Sequence, residues 1–371
     1  MKIACWGYYG KKNLGDDLIL AELLKYLKEY APEAAITVFA STPNVEMPTE
    51  GGRIHYCPRS TKELFCASLT QDLLICGPGG LMPQRSTFKL LLWTLLALIM
   101  KIRRRSLLFL GLGIGQQNFQ RPGDRMLLRL IVRLSRAFVV CQNGVNDALK
   151  TNKIREAADV VFGMLPAKVV AKEPKSIVFS LANVFGNATD ECNKFVEGMV
   201  KTIEDLMDAG YTIHFVEFTQ GNDMYLYQRI LAQLPATADI TVHPYNEDSY
   251  TMTEIFQRAE LCVCMRFHSL VLAAVNHTPC CIISYSDKMD DVAQRLCLTD
   301  YAVQICPISE LYYGRLISFD ERAFANILRR LITEKEAVKK QLERMVPALQ
   351  KQAQENWQAL SNVMNLHRKH K

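Results

Sequence analysis

Two short stretches carry side chains that could hold an anion and move protons: MRFHS, residues 265–269, and ISYSDK, residues 283–288. A strand-like run ending at Met265 delivers Arg266, Phe267 and His268 to a turn, and a helical pattern from about Ser269 to Val275 follows. Backbone N–H groups at a helix start attract anions, and a guanidinium beside them can grip phosphate or carboxylate through two parallel hydrogen bonds. A neutral imidazole at that place suits proton transfer, because a helix N-terminus disfavours its charged form. The next strand-like run ends at Ser284 and brings Tyr285, Asp287 and Lys288 to the same edge. An isolated histidine at a helix start is more often a capping or packing residue. Arg266 two residues before His268 and Lys288 one strand away turn the balance towards chemistry.

Three glycine-bearing turns follow strands in the first half of the chain. GYYGKKNLGDD, residues 7–17, presents Asn13, Asp16 and Asp17 at a strand-to-helix junction. It lacks the third glycine of a dinucleotide fingerprint and the Gly-Lys-Ser/Thr of a P-loop. ICGPGGLMP, residues 75–83, carries Gly77, Gly79 and Gly80, which would let the backbone approach a ligand. GLGIGQQ, residues 111–117, carries Gly113 in the same setting. One such turn is weak, since any sharp turn wants glycine; three after strands in one half are a pattern.

The elements that must position these residues alternate strand and helix. Strands are expected at 2–6, 36–40, 73–76, 106–112 and 137–141, with helices at 17–30, 87–103 and 122–135. The lysine- and proline-rich PAKVVAKEPKS, residues 166–176, reads as a linker. The pattern then restarts, with strands at 177–181, 212–217, 240–243, 261–265 and 280–284, and becomes helical from Asp320 to His370, where Pro347 predicts a break or kink. The expectation is α/β: two Rossmann-like, doubly wound domains facing a cleft, 1–168 and 169–335, with a helical segment over 336–371.

Composition narrows the classes. A chain of 371 residues with a net charge of +6 fits two domains and makes no demand for nucleic acid. Twelve cysteines in so long a chain, with no Cys-x-x-Cys pair and no secretory pattern, are expected to be buried free thiols in a reducing cytosol and not a metal site. No run is apolar for the roughly 20 residues a membrane span needs. LLLWTLLALIM, residues 90–100, does run into Lys101, Arg103, Arg104 and Arg105, and Arg125, Arg129, Arg133 and Arg136 recur through 125–136. Those helices read either as sheet covers with solvated basic edges or as a peripheral surface on anionic lipid.

GYYGKKNLGDDLIL, the glycine turn at 77–80, GLGIG, MRFHSLVLAA and ISYSDK, in that order, resemble the polysaccharide pyruvyl transferase family over the chain from its first strand to about residue 298. The resemblance implies a GT-B-like architecture and transfer of the pyruvyl unit of phosphoenolpyruvate, as a ketal, onto a sugar of a capsular or cell-wall glycan, commonly on a lipid carrier. It implies Arg266, Lys288, Ser269 and Tyr285 on the donor, His268 in proton transfer, and Asp16 or Asp17 on the acceptor hydroxyls. Asn13, Gly77, Gly79, Gly80 and Gly113 would form the acceptor or backbone cradle. No metal or other cofactor is called for. The cysteine usage and the basic, apolar stretches at 90–105 and 125–136 make the expected location the cytoplasm, with peripheral contact at the membrane's inner face.

The chain departs from the family's pattern at an Arg-Asp pair, read here as Gln142 and Asn143, at an arginine replaced by Ala182, and at Pro78 within a Gly-Gly-Gly run. Those departures keep two alternatives open: a GT-B glycosyltransferase using a nucleotide sugar, and a non-catalytic glycan-binding member.

Overall fold

The computed structural model describes residues 1–42, 53–79, 86–114, 121–164, 170–186, 189–246, 248–305 and 318–369. The chain divides into two compact units, one of Met1–Lys11, Asp16–Gly163 and Leu349–Lys371, the other of Lys12–Gly15 and Met164–Ala348.

The first unit is built from β1 (Lys2–Trp6), α1 (Leu14–Tyr30), β2 (Ala35–Ala40), β3 (Ile54–Pro58), α2 (Thr61–Thr70), β4 (Leu73–Cys76), α3 (Thr87–Ile102), β5 (Ser106–Leu112), α4 (Pro122–Leu134), β6 (Ala137–Val140), α5 (Val145–Leu149) and β7 (Arg155–Glu156). Its parallel sheet has the order β3-β2-β1-β4-β5-β6-β7. β4 and β5 are buried along their whole length, as parallel strands covered on both faces must be. One cover is α3, which buries Leu90, Trp93, Leu96, Ala97 and Met100 at helical spacing, with the Trp93 ring edge-on to Phe109 at 5.4 Å. α2 and α4 flank α3 on the same face through Leu64 and Ala67, and through Leu127, Leu128, Ile131 and Val132.

The second unit contains β8 (Ser176–Ser180), α6 (Thr189–Asp208), β9 (Thr212–Val216), α7 (Asn222–Leu231), β10 (Ile240–His243), α8 (Ser249–Arg258), β11 (Leu261–Cys264), α9 (Phe267–Val275), β12 (Cys280–Ser284), α10 (Asp287–Arg295), β13 (Ala302–Gln304) and the start of α11 (Glu321–Lys369). Its strands, again parallel, run β10-β9-β8-β11-β12-β13. In both sheets the winding reverses once, between β1 and β4 and between β8 and β11. Beyond the carboxyl ends of such a reversal the connecting loops leave in opposite directions and open a crevice.

The structure corrects the sequence expectations at several points. Nothing was expected between Ala40 and Leu73, yet β3 and α2 lie there; β3 is a half-buried edge strand ending in proline, and α2 starts at Ser60, whose hydroxyl accepts the Glu63 N–H at 3.2 Å. The described part of the expected linker is fastened to the second unit, Glu173 donating its N–H to Arg258 and Lys172 its ammonium to Ala259 and Thr278. The unit boundary falls at Gly163/Met164 instead of 168/169, and the turn Lys12–Gly15 groups with the second unit. No separate segment begins at 336: α11 is one helix that continues through Pro347, and its residues pass from one unit to the other at Ala348/Leu349. The cysteines among the described residues are free, and most are buried.

On neighbouring strands β9 and β10, His214 Nδ1 and His243 Nε2 lie 3.1 Å apart. Burial lowers both below the ordinary imidazole value of 6.5, and His214 lowers His243 further, while Glu173 opposes this in both and Asp239 in His214. Such groups bind fewer protons folded than unfolded, so their stabilisation is intact above 6.5 and is lost as the pH falls towards their folded values. Unfolding free energy should therefore decline from about pH 7 to about pH 5. His243→Gln should flatten that decline in urea titrations at several pH values, and parallel curves would take the pair out of the account.

Candidate functional site

At the reversal in the second unit, β11 ends at Cys264 and α9 begins at Phe267, with Arg266 in the extended conformation of a helix N-cap. Its side chain does not cap the helix. The guanidinium forms an ion pair with Asp223, reached by Nη2 and by Nε at 3.3 Å, and Nη2 also donates to Asn222 Oδ1 at 2.7 Å. Asp223 stands in the first turn of α7 with its side chain wholly buried, and its Oδ2 accepts the N–H groups of Phe218 (2.9 Å) and Thr219 (3.0 Å). Burial raises the Asp223 carboxyl above the usual carboxylate range, an effect partly offset by Arg266 and by the two N–H donors. Burial lowers Arg266, but Asp223 and Tyr285 outweigh it, so the guanidinium is held above its ordinary value. A guanidinium keeps its proton in any case, and its bonds to Asp223 and Asn222 engage Nε and Nη2.

The same loop fastens the turn at 12–15. Asn13 Nδ2 donates to Thr219 Oγ1 at 2.9 Å, the Leu14 N–H to the Phe218 carbonyl at 2.8 Å and the Gly15 N–H back to Asn13 Oδ1 at 3.0 Å. Gly15 in turn lies against His268: a methyl group on Gly15 would stand 2.0 Å from Nδ1 of the imidazole. Phe267 packs edge-on to His268, ring centroids 5.0 Å apart, and the Lys288 ammonium sits 3.5 Å above the Phe267 ring. The structure therefore brings Asn13, Arg266, His268, Tyr285 and Lys288 into one neighbourhood of the second unit. Ser269 is also there, but it is buried and its hydroxyl donates to the Arg266 carbonyl at 2.6 Å, so it shapes the turn from behind.

The other expected residues belong to the first unit. Asp16 is half-buried, its Oδ1 3.6 Å from where a side chain on Gly79 would begin, whereas Asp17 is only 4% exposed. Of the two, Asp16 is the carboxylate a dissolved hydroxyl can reach. Gly77 answers to the protein and not to a ligand: its φ is +101°, and a Cβ would meet the Leu110 carbonyl oxygen at 2.2 Å. Its own carbonyl accepts the Tyr9 hydroxyl at 2.8 Å. Gly79 and Gly113 are joined by the Gly113 N–H to the Gly79 carbonyl at 3.3 Å, and among the described residues no atom lies within 4 Å of where a Gly113 Cβ would point. Gly80 lies outside the described residues. Gln142 has its own task, accepting the Ile114 N–H at 2.7 Å, and the buried Ala182 donates its N–H to the Met265 sulfur.

Two partners were missed in the sequence. Asp223 follows the Gly221-Asn222 turn at a helix start, a signal too common to single out. Arg59, just beyond β3, lies 5.0 Å from the Trp6 ring and 4.9 Å from the Tyr8 ring. Burial lowers its pKa, while Tyr8 and Asp16 raise it, which sets a cation beside Asp16 at the carboxyl edge of the first sheet.

The family profile described as polysaccharide pyruvyl transferase matches residues 13–287. No curated protein sequence matches the chain. Among solved structures, a Listeria monocytogenes protein assigned as a UDP-N-acetylglucosamine 2-epimerase has a TM-score of 0.65 at 12% identity, over 98% of this chain and 97% of that one. UDP-GlcNAc 2-epimerase from Neisseria meningitidis, bound to UDP-GlcNAc, has a TM-score of 0.58 at 10% identity, over 97% and 99%. MurG from Acinetobacter baumannii has 0.53 at 11%, over 98% and 99%. These likenesses are of fold: the chain has the GT-B architecture, two parallel sheets flanked by helices.

Removing one member of a buried ion pair strands the other. Asp223→Asn should cost about 3 kcal/mol of stability, and Asn222→Ala, at an exposed position, clearly less. Equal losses in denaturant unfolding would show that the pair does not hold the site.

Proposed function

The chain belongs to the polysaccharide pyruvyl transferase family, and from that premise we propose that it transfers the pyruvyl unit of phosphoenolpyruvate onto two hydroxyls of a sugar in a cell-surface glycan precursor. The observation that carries the proposal is the grouping of Arg266, His268 and Lys288 around the first turn of α9. Phosphoenolpyruvate carries close to three negative charges, and Arg266 Nη1, Lys288 and the α9 backbone N–H groups are suited to its carboxylate and phosphate.

In the reaction His268 delivers a proton to the methylene carbon, which becomes the methyl group. The central carbon turns electrophilic, and a sugar hydroxyl adds to it. The carbon–oxygen bond to phosphate breaks, the phosphate taking that electron pair, and a second hydroxyl closes the ketal. Two hydroxyl protons are released: one makes good the proton given to the methyl group and the other leaves with phosphate. Asp16 is the group proposed to accept from the hydroxyls. The clamp serves the leaving phosphate as its charge develops. The acceptor proposed is a capsular or cell-wall glycan carried on lipid, a reading that family membership supports.

A second reading has one observation in its favour. Gln142 and Ala182 are committed to protein contacts and bring no charge where the family pattern has arginine, which suits a nucleotide-sugar donor better than a small trianion.

Thermal-shift titration separates the two: stabilisation by phosphoenolpyruvate and not by UDP-sugars is expected, and the reverse would replace the proposal with the second reading. Lys288→Gln should weaken phosphoenolpyruvate binding by about 1.5–3 kcal/mol in calorimetry. His268→Gln should hold donor affinity within a few fold while phosphate release in the presence of acceptor glycan falls about a hundredfold or more. Gly15→Ala, by displacing the imidazole, should copy the His268→Gln kinetics with the imidazole still present. Wild-type turnover in His268→Gln would move proton delivery to another group.

A further inference from the structure

We propose that the outer face of α2, α3 and α4 in the first unit is a docking surface for an anionic phospholipid bilayer, with the basic cavity at the end of α3 taking lipid headgroups. α3 is apolar on both sides. Its inner side covers the sheet, and its outer side presents Phe88 (77% exposed), Leu91, Leu95, Leu98 and Ile102 (72% exposed), spaced three and four apart in one stripe. Phe65 and Leu69 on α2 and Met126 and Leu130 on α4 extend the exposed apolar surface to either side. The three helices cover one face of the sheet through a common core, so their outer sides look the same way. A patch of this kind on a water-soluble surface marks an interaction site.

Charge decides what covers it. A cavity of about 940 Å³ opens where α3 ends, lined by Lys101, Arg103, Arg104, Arg105 and Arg136 against two acids, Glu33 and Asp72. Both acids are engaged: Asp72 by Arg105 and the Lys2 N–H, Glu33 by Arg53. The residues before β1, β2, β4, β5 and β6 line it too, which sets it at the amino edge of the sheet, opposite Asp16 and Gly79. On α4 the exposed Arg129 and Arg133 alternate with Met126 and Leu130. An apolar stripe bordered by basic residues at its end and along its flank is complementary to a bilayer with anionic headgroups. α3, at 16 residues, is roughly 24 Å long and too short for a hydrocarbon core of roughly 30 Å. Among the described residues no helix is long and apolar enough to cross a membrane. The helix would lie in the interface plane, outer stripe down.

This surface is independent of the reading of the site, and its test uses no substrate. The 371-residue chain is sedimented with phosphatidylcholine vesicles and with vesicles containing phosphatidylglycerol, at low and high salt. Binding is expected only to the anionic vesicles, and salt should release it. Arg104→Ser with Arg136→Ser should weaken binding by about fivefold per charge removed. Leu91→Ser with Leu95→Ser should abolish insertion into a lipid monolayer. All four side chains are exposed, so thermal unfolding should stay close to wild type. Absence of wild-type binding to anionic vesicles, or unchanged binding in both double variants, would overturn the proposal. So would light scattering that shows a dimer which Leu91→Ser with Leu95→Ser dissociates, since the face would then belong to a second copy of the chain.

Discussion

A carboxylate without access to water must find its donors inside the protein, and the Asp223 carboxylate finds them in an order that arranges the second unit's site. Two backbone N–H groups from the loop after β9 hold one oxygen, and the Arg266 guanidinium takes what remains. That fixes Arg266 across from α7, and with it the first turn of α9. The same loop, through Thr219 and Phe218, receives Asn13 and Leu14. Gly15 is thereby pressed against His268, two residues from Arg266. The contacts form a closed circuit, from Asp223 to Arg266, His268, Gly15, Asn13, Thr219 and back. Each member is positioned from two sides, which is the kind of support a proton-transfer group needs, since a misplacement of about 1 Å costs catalysis heavily.

The first unit achieves rigidity by a different route. Its loops at the sheet's carboxyl edge are tied by neutral groups: the Tyr9 hydroxyl on the Gly77 carbonyl, Gly79 to Gly111 and Gly113 through backbone bonds, and Gln142 on the Ile114 N–H. Among the described residues, Asp16 and Arg59 set opposite charges beside each other at that edge. A surface of this kind offers hydrogen-bonding groups to a hydroxyl-bearing ligand. Gln142 shows how a departure from the family pattern can be structural in effect: an amide oxygen accepts a loop N–H, a bond that a guanidinium, having no acceptor, could not make.

Local signals carried far in this chain. Short contiguous apolar runs predicted β1, β4, β5, β11 and β12 closely, because parallel strands buried on both faces leave such a mark in the sequence. Helices with one buried stripe were equally plain. β3 and α2 were not: a half-buried edge strand carries little periodicity, and α2 has a short apolar pattern behind an ordinary serine cap. An interior proline removes one helical hydrogen bond, so Pro347 predicts a break or a kink; α11 is not broken there.

What the sequence by itself determined was therefore the fold class, the family and the places where chemistry-bearing residues leave the strands, all of which depend on neighbours a few positions apart. Arg266, His268 and Lys288 could be named because each follows a strand end within one motif. Their partners could not, since Asp223 is 43 positions from Arg266 and Gly15 more than 250 from His268. Only the tertiary structure decided that Gly77 is glycine for the Leu110 carbonyl, that Asp16 is more open to water than Asp17, and that the outer stripe of α3 is exposed. The physical reason is the same in each case. Burial and close approach are properties of a packed neighbourhood, and the residues that make up that neighbourhood are contributed by distant parts of the chain.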